Sequence, residues 1–149
     1  MKQLTNIQTY IFIFGGLMMV LGAGVNLVAD LPVFSDIATA DYCHKTGACI
    51  FLIGAVCFAA MQCQQKYEGN DLAITRLRRM MVFADVAFVL AGLFLVEKSF
   101  RLVYPLFVAN DAYMFYIQYI NNNWVVLLLI AVFFEMYSTH RIAYLIKKS

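Results

Sequence analysis

The sequence predicts an all-α integral membrane protein: one domain of four antiparallel transmembrane helices, with both termini on the cytoplasmic side. Three observations predict it. Apolar residues fill 63% of the 149 positions and charged residues only 13%, with a mean hydropathy of +0.75. A soluble domain carries roughly 45–50% apolar and about 25% charged residues, so this chain has too little charge to cover a water-facing surface. The charges also fall between four long apolar stretches, each able to supply the roughly 20 residues that a membrane helix needs. Apolar and polar residues do not alternate with period two, which sets aside a membrane β-barrel.

The first span covers 8–29, since no charged side chain occurs from 3 to 29. It is expected to stay uncleaved. Only Lys2 precedes it, the apolar run is long for a signal peptide, and Gly22, Ala23 and Gly24 lie inside the run, not after it. The second span covers 46–65, again without charge. The third covers 80–97 and is interrupted by Asp85; the fourth covers 122–140 and is interrupted by Glu135. Trp124 marks the outer boundary of the fourth span, and Tyr137 and Tyr144 suit its inner boundary. Small residues recur along the spans at helical spacing: Gly15, Gly22 and Ala29; Gly47 and Gly54; Ala55, Ala59 and Cys63; Ala87 and Ala91. Such stripes let helices approach closely in lipid, where little hydrophobic force acts between them. They predict a tight bundle and carry no chemistry.

Two connections lie outside, 30–45 and 98–121, and one inside, 66–79. The outer segment "VYPLFVANDAYMFYIQYINNNW" is unusually aromatic. Tyr113, Phe115, Tyr116 and Tyr119 suit headgroup depth, where amphipathic rings collect. It reads as an interfacial cap on the bundle or as a docking surface, and Pro105 is expected to end any extension of the third span. A weak internal repeat pairs "MVLGAG" with "FVLAGL" and "GAVCFAAM" with "IAVFFEMY". It suggests two hairpins of the same orientation.

Orientation follows from the cationic residues. Lys2, Lys66, Arg76, Arg78, Arg79, Arg141, Lys147 and Lys148 fall on one side, eight of the eleven Lys and Arg. Lys45, Lys98 and Arg101 fall on the other, with Asp30, Asp36, Asp41 and Asp111. The positive-inside rule makes the first side cytoplasmic. The net charge of +2 gives no basic face of the kind that binds nucleic acid.

The candidate site is a polar cluster within the spans. Asp85 lies six residues after Arg79, about 9 Å along a helix at roughly 1.5 Å per residue, and Glu135 lies six residues before Arg141. The two acids therefore fall at one depth on neighbouring antiparallel helices, near Gln62. Carboxylates facing lipid are costly, so both are expected to face the interior, with at least one paired to Arg76, Arg78, Arg79 or Arg141, or to His140. Two readings compete: a salt-bridge cluster that locks the cytoplasmic end, and a proton or cation relay through Asp85 and Glu135. At the outer end, Asn26 and Asp30 share a face and read as capping or loop-anchoring groups.

The remaining residues offer less. Cys43, Cys49, Cys57 and Cys63 contain no CxxC pair, and Cys57 and Cys63 on one helix cannot bridge. Cys43 and Cys49 could do so only if the second helix starts late. Four spans with outer cysteines resemble the quinone-linked disulfide-forming enzymes, but those need a CxxC pair and further outer cysteines, and 98–121 has none. In "DYCHK", Asp41, Cys43 and His44 are crowded together at a spacing unlike known metal sites, so no metal is expected and His44 reads as a boundary residue. No phosphate-binding loop, nucleophile elbow, zinc-protease or dinucleotide motif occurs, and no cofactor is expected.

"MQCQQKYEGNDLAITRLRRMM" followed by an apolar helix, and then "NNNWVVLLLIAVFFEMYSTHRI", resembles a group of small four-span bacterial inner-membrane proteins with a basic "RYEG…RLRR" inner loop and an "NEWV…E-x-Y…RI" ending. The resemblance covers most of the chain beyond residue 50. This sequence departs from it at Lys66 and at Asn123, where an acid is common. The resemblance implies fold and location, not an activity. With no catalytic constellation, little soluble mass, and an aromatic outer and a basic inner connection for contacts, the expected function is non-enzymatic: an accessory or scaffold component of an envelope complex, meeting lipid and a membrane-protein partner or further copies of itself. The alternative is a small oligomeric transporter or ion-coupled carrier using Asp85 and Glu135. A membrane enzyme comes third.

Overall fold

The computed structural model describes residues 5–31, 37–65, 71–121 and 123–148. Lys2, Asp36, Lys66 and the 66–70 part of the basic connection lie outside the described residues. Among those described the chain is helical apart from short connections, without a strand, and four helices are long and apolar enough to cross a membrane.

Helix α1 is Asn6–Ala29. It begins with a capping box: the Gln8 N–H donates to Thr5 Oγ1 at 3.4 Å, and the Thr5 N–H donates to Gln8 Oε1 at 3.0 Å. Two otherwise orphaned donors are thereby satisfied. Helix α2 is Ile37–Gln64 and starts nine residues before the expected 46. Polar residues do not end a helix when they pair along its face, and Lys45 donates to Asp41 one turn earlier at 2.6 Å. Cys43 and Cys49 therefore share one helix and both are free thiols.

Helix α3 is Leu72–Phe100, capped by Asp71, which accepts from the Ala73 N–H at 2.8 Å. The expected loop 66–79 is thus helical from Leu72 onward, and Arg76, Arg78 and Arg79 ride on the first turns of α3. The helix stops at Arg101, whose backbone is left-handed (φ 52, ψ 43) and whose N–H bonds to the Glu97 carbonyl at 2.7 Å. Pro105 does not end α3. It lies in the first turn of α4, Tyr104–Ala109, where its missing N–H goes unused. Helix α5, Tyr113–Tyr116, continues into a π-helical turn, Ile117–Asn121, and α6 is Trp124–Lys148.

Each long helix packs antiparallel on its neighbour in sequence, in the order α1, α2, α3, α6, and α1 and α6 share no extended contact among the described residues. The α1–α2 interface is built on backbone. A Cβ at Gly22 would stand 2.6 Å from the Gly47 carbonyl, and one at Gly54 would stand 2.7 Å from the Gly15 carbonyl. The seven-residue glycine spacing on both helices brings the two backbones together at two levels. Phe51, Phe88, Leu95 and Trp124 fill the centre. Trp124 begins α6 as a boundary residue would, but it is only 2% exposed and packs in the core. Ile74, Leu77, Met81 and Ile142 form a second, smaller cluster at the end that carries both termini. That end is called terminal below, and the opposite end distal.

Candidate functional site

At the terminal end the structure brings together four of the eight predicted residues: Gln62 on α2, Arg78 and Asp85 on α3, and Glu135 on α6. Asp85 is 3% exposed and Gln62 is 2% exposed. Gln62 Nε2 donates to both Glu135 carboxylate oxygens at 2.9 Å, and Thr139 Oγ1 donates to Glu135 Oε1 at 3.4 Å. Asp85 lies within electrostatic reach of Glu135 and Arg78, yet neither of its oxygens has a hydrogen-bond partner. Gln62 Oε1, Arg78 Nη1 and the buried Ser138 hydroxyl are also without one.

The expected ion pair does not form. Among the described residues no cation lies within ion-pair distance of Asp85 or Glu135. Arg78 turns to the end of α2 instead, where its Nη2 donates to the Gln62 carbonyl at 3.3 Å and to the Gln65 carbonyl. The physical reason is competition. The last carbonyls of a helix have no intrahelical donors and sit at the negative end of its dipole, so they claim the guanidinium, and the Gln62 amide serves Glu135. Arg76, Arg79, His140 and Arg141 stand on exposed faces away from this cluster, Arg141 over the Tyr144 ring at 5.6 Å. The result is a buried cluster rich in acceptors, with two carboxyl groups, an amide oxygen and one guanidinium, groups that can exchange a proton between α2, α3 and α6.

The distal end holds a network that sequence reading only touched. Asn26, fully buried on α1, donates through Nδ2 to the Gly22 carbonyl at 3.0 Å. That bond fixes its amide, so Oδ1 faces His44 Nδ1 at 3.1 Å. The other ring nitrogen, Nε2, lies 3.3 Å from Asp30 Oδ1, and Asp30 Oδ2 accepts from Lys98 Nζ at 2.9 Å. Both His44 nitrogens thus face side-chain oxygens, of Asn26 and Asp30, and the tautomer sets which nitrogen donates. His44 is therefore no plain boundary residue: it ties α2 to α1, and Asp30 extends the tie to α3. Ser99 Oγ closes on the His44 carbonyl at 3.2 Å. Asp41 and His44 are occupied by Lys45, Asn26 and Asp30.

Glu97 was missed entirely. It ends α3 buried, accepting from the Val103 and Tyr104 N–H groups and from the Tyr116 hydroxyl. Its only sequence signal is an acid placed just before an aromatic segment, and beside Lys98 it reads as a solvated span end. Tyr104, Phe107, Tyr113, Phe115, Tyr116 and Tyr119 pack ring on ring above it.

No family model, curated protein or solved structure matches this chain.

Proposed function

We propose that this is a non-enzymatic, multi-pass protein of the bacterial inner membrane, with both termini and the 66–79 segment cytoplasmic, acting as an accessory or scaffold component of an envelope complex. The resemblance to small four-span inner-membrane proteins and the excess of Lys and Arg at the terminal end support the location. The observation that carries the role is the packing order. Because α1 and α6 stand at opposite ends of the row, each keeps a long apolar face uncovered, with Tyr10, Phe14, Leu17 and Val20 exposed on α1. Lipid can cover such a face as well as a helix can, since little hydrophobic force acts between helices in a bilayer; the proposed role has a partner's helix packed on it. Crosslinking from Phe14 and Leu17 in native membranes, followed by co-purification, tests this: a stoichiometric partner on that face is expected, and self-crosslinks alone would favour an oligomeric carrier. For topology, a cysteine at position 70 in a variant lacking the four native cysteines should resist an impermeant maleimide added to intact cells. Labelling from outside would reverse the orientation.

A second reading has one observation in its favour. Among the described residues Asp85 is buried without a hydrogen bond or a cation at ion-pair distance, an arrangement that is expensive to keep and common where a carboxyl group exchanges a proton or cation. On this reading the protein is a small oligomeric, ion-coupled carrier. Proton flux in proteoliposomes tests it: Asp85→Asn should abolish flux while the fold persists, and flux equal to the unaltered protein would remove the reading.

A further inference from the structure

Two backbone irregularities meet at one cleft at the distal end. The cleft measures about 530 Å³ and is lined by Asp41, His44 and Lys45 of α2, Lys98 of α3, Arg101 just beyond it and Asn121 of the π turn, among others. Arg101 occupies the left-handed position that ends α3 (φ 52). Helices ordinarily give that position to glycine, because a Cβ there crowds the neighbouring carbonyl. Here an arginine stands where glycine would make the same turn with less strain. Asn121 closes a π-helical turn, another local geometry that gathers at functional sites. Strained backbone persists where something besides the turn requires it, and here the strained Arg101 and the π turn each deliver a side chain to the same cleft.

The charge of the lining points to the ligand. Lys45 is held by Asp41 at 2.6 Å and Lys98 by Asp30 at 2.9 Å. Arg101 has no carboxylate within ion-pair distance among the described residues and lies over the Tyr104 ring, 5.8 Å from its centre. The cleft therefore carries surplus positive charge, and its one uncommitted cation is a planar fork suited to two oxygens of one anion. The aromatic segment above it has the composition that collects at membrane headgroups.

We propose that this cleft binds a phosphate-bearing anion, most directly a lipid headgroup phosphate, with the Arg101 guanidinium as the principal donor and Lys45, Lys98 and Asn121 around it. The proposal is independent of which side of a membrane the distal end faces, since headgroup phosphates line both surfaces.

The test uses the full chain purified in a neutral maltoside detergent. Its thermal unfolding midpoint is followed with added phosphatidylglycerol, with phosphatidylcholine of the same acyl chains, and with inorganic phosphate at matched ionic strength. Phosphatidylglycerol should raise the midpoint saturably, by several degrees, as a ligand of the folded state does, and phosphatidylcholine should do so far less. A saturable rise with inorganic phosphate equal to that with lipid supports the anion site and assigns it to a free anion. Arg101→Gly should keep or raise the midpoint without ligand and lose roughly tenfold or more in apparent affinity, the equivalent of one charge-assisted fork. Arg101→Gln, which keeps the strained backbone and removes the fork, should lose the same affinity. The proposal is overturned if neither probe shifts the midpoint, if the two lipids shift it equally, or if both Arg101 variants respond like the unaltered protein.

Discussion

The Tyr116 hydroxyl donates to Glu97 Oε1 at 3.1 Å, and the same carboxylate accepts the N–H groups of Val103 at 3.0 Å and Tyr104 at 3.1 Å. One buried side chain thus receives the first free donors of α4 and pins α5 on top of α3, which turns a chain segment that reads as a loop into a fixed lid of rings.

Glu97→Ala is expected to release that lid. Two backbone donors and a hydroxyl would lose their acceptor, and an unsatisfied buried donor costs ~1–3 kcal/mol. The 101–121 segment should then be cut quickly by protease added to the protein in detergent, and the unfolding midpoint should fall. Tyr116→Phe removes one hydrogen bond to a charged group, worth ~1.5–3 kcal/mol, and should have a milder effect. Cleavage of Glu97→Ala at the rate of the unaltered protein would mean that ring packing alone holds the segment.

Gly22→Val should separate α1 from α2, because its side chain would meet the Gly47 carbonyl and the Phe51 backbone, which are not free to move as a side-chain tip is. Gly24→Ala is the matched control. Nothing lies within 4 Å of a Cβ there, and alanine is favoured over glycine in a helix by ~1 kcal/mol. The first variant is expected to lower the midpoint and the second to hold or raise it; similar midpoints for the two would contradict the close glycine contact.

Asp85 and Gln62 should respond in opposite directions. Gln62→Leu strips Glu135 of its two shortest hydrogen bonds and should destabilise, in the range of ~1.5–3 kcal/mol for bonds to a charged group. Asp85→Leu removes a buried carboxyl group that has no hydrogen bond and no ion pair among the described residues, and fills its place with apolar atoms, so it should be neutral or stabilising. Chemical denaturation of the two variants decides it. A marked loss of stability in Asp85→Leu would reveal a protein partner for Asp85.

The four long helices were legible because lipid-compatible composition is a property summed over some 20 positions, and no single residue can conceal it. The seven-residue spacing of Gly15, Gly22, Gly47 and Gly54 was legible for a similar reason, since small residues on one face have little use except close approach. Helix ends were harder. Asp41 and Lys45 read as loop because they are charged, yet an i, i+4 pair sits comfortably on a helix that projects beyond its apolar run. Matched offsets from Arg79 and Arg141 indicated that Asp85 and Glu135 lie at one level. Which partner each takes depends on rotation about the helix axes and on competing acceptors, so the capture of Arg78 by the α2 carbonyls was not readable. Neither was Glu97, whose partners lie in a segment without regular periodicity.

The packing order also bears on how the molecule is made. Every extended helix interface joins spans that follow one another in the chain, so each span finds its partner already synthesised: α2 closes on α1, α3 on α2, α6 on α3. Among the described residues two polar contacts skip a neighbour: Asp30–Lys98, 68 residues apart, closes when α3 arrives, and Gln62–Glu135, 73 residues apart, forms last, with α6. A nascent chain arrested after α3 should therefore already allow crosslinking between cysteines placed at Phe12 and Phe58, whose rings stack with centroids 4.3 Å apart. If that crosslink appears only once α6 is present, assembly is concerted and the first hairpin has no independent existence during synthesis.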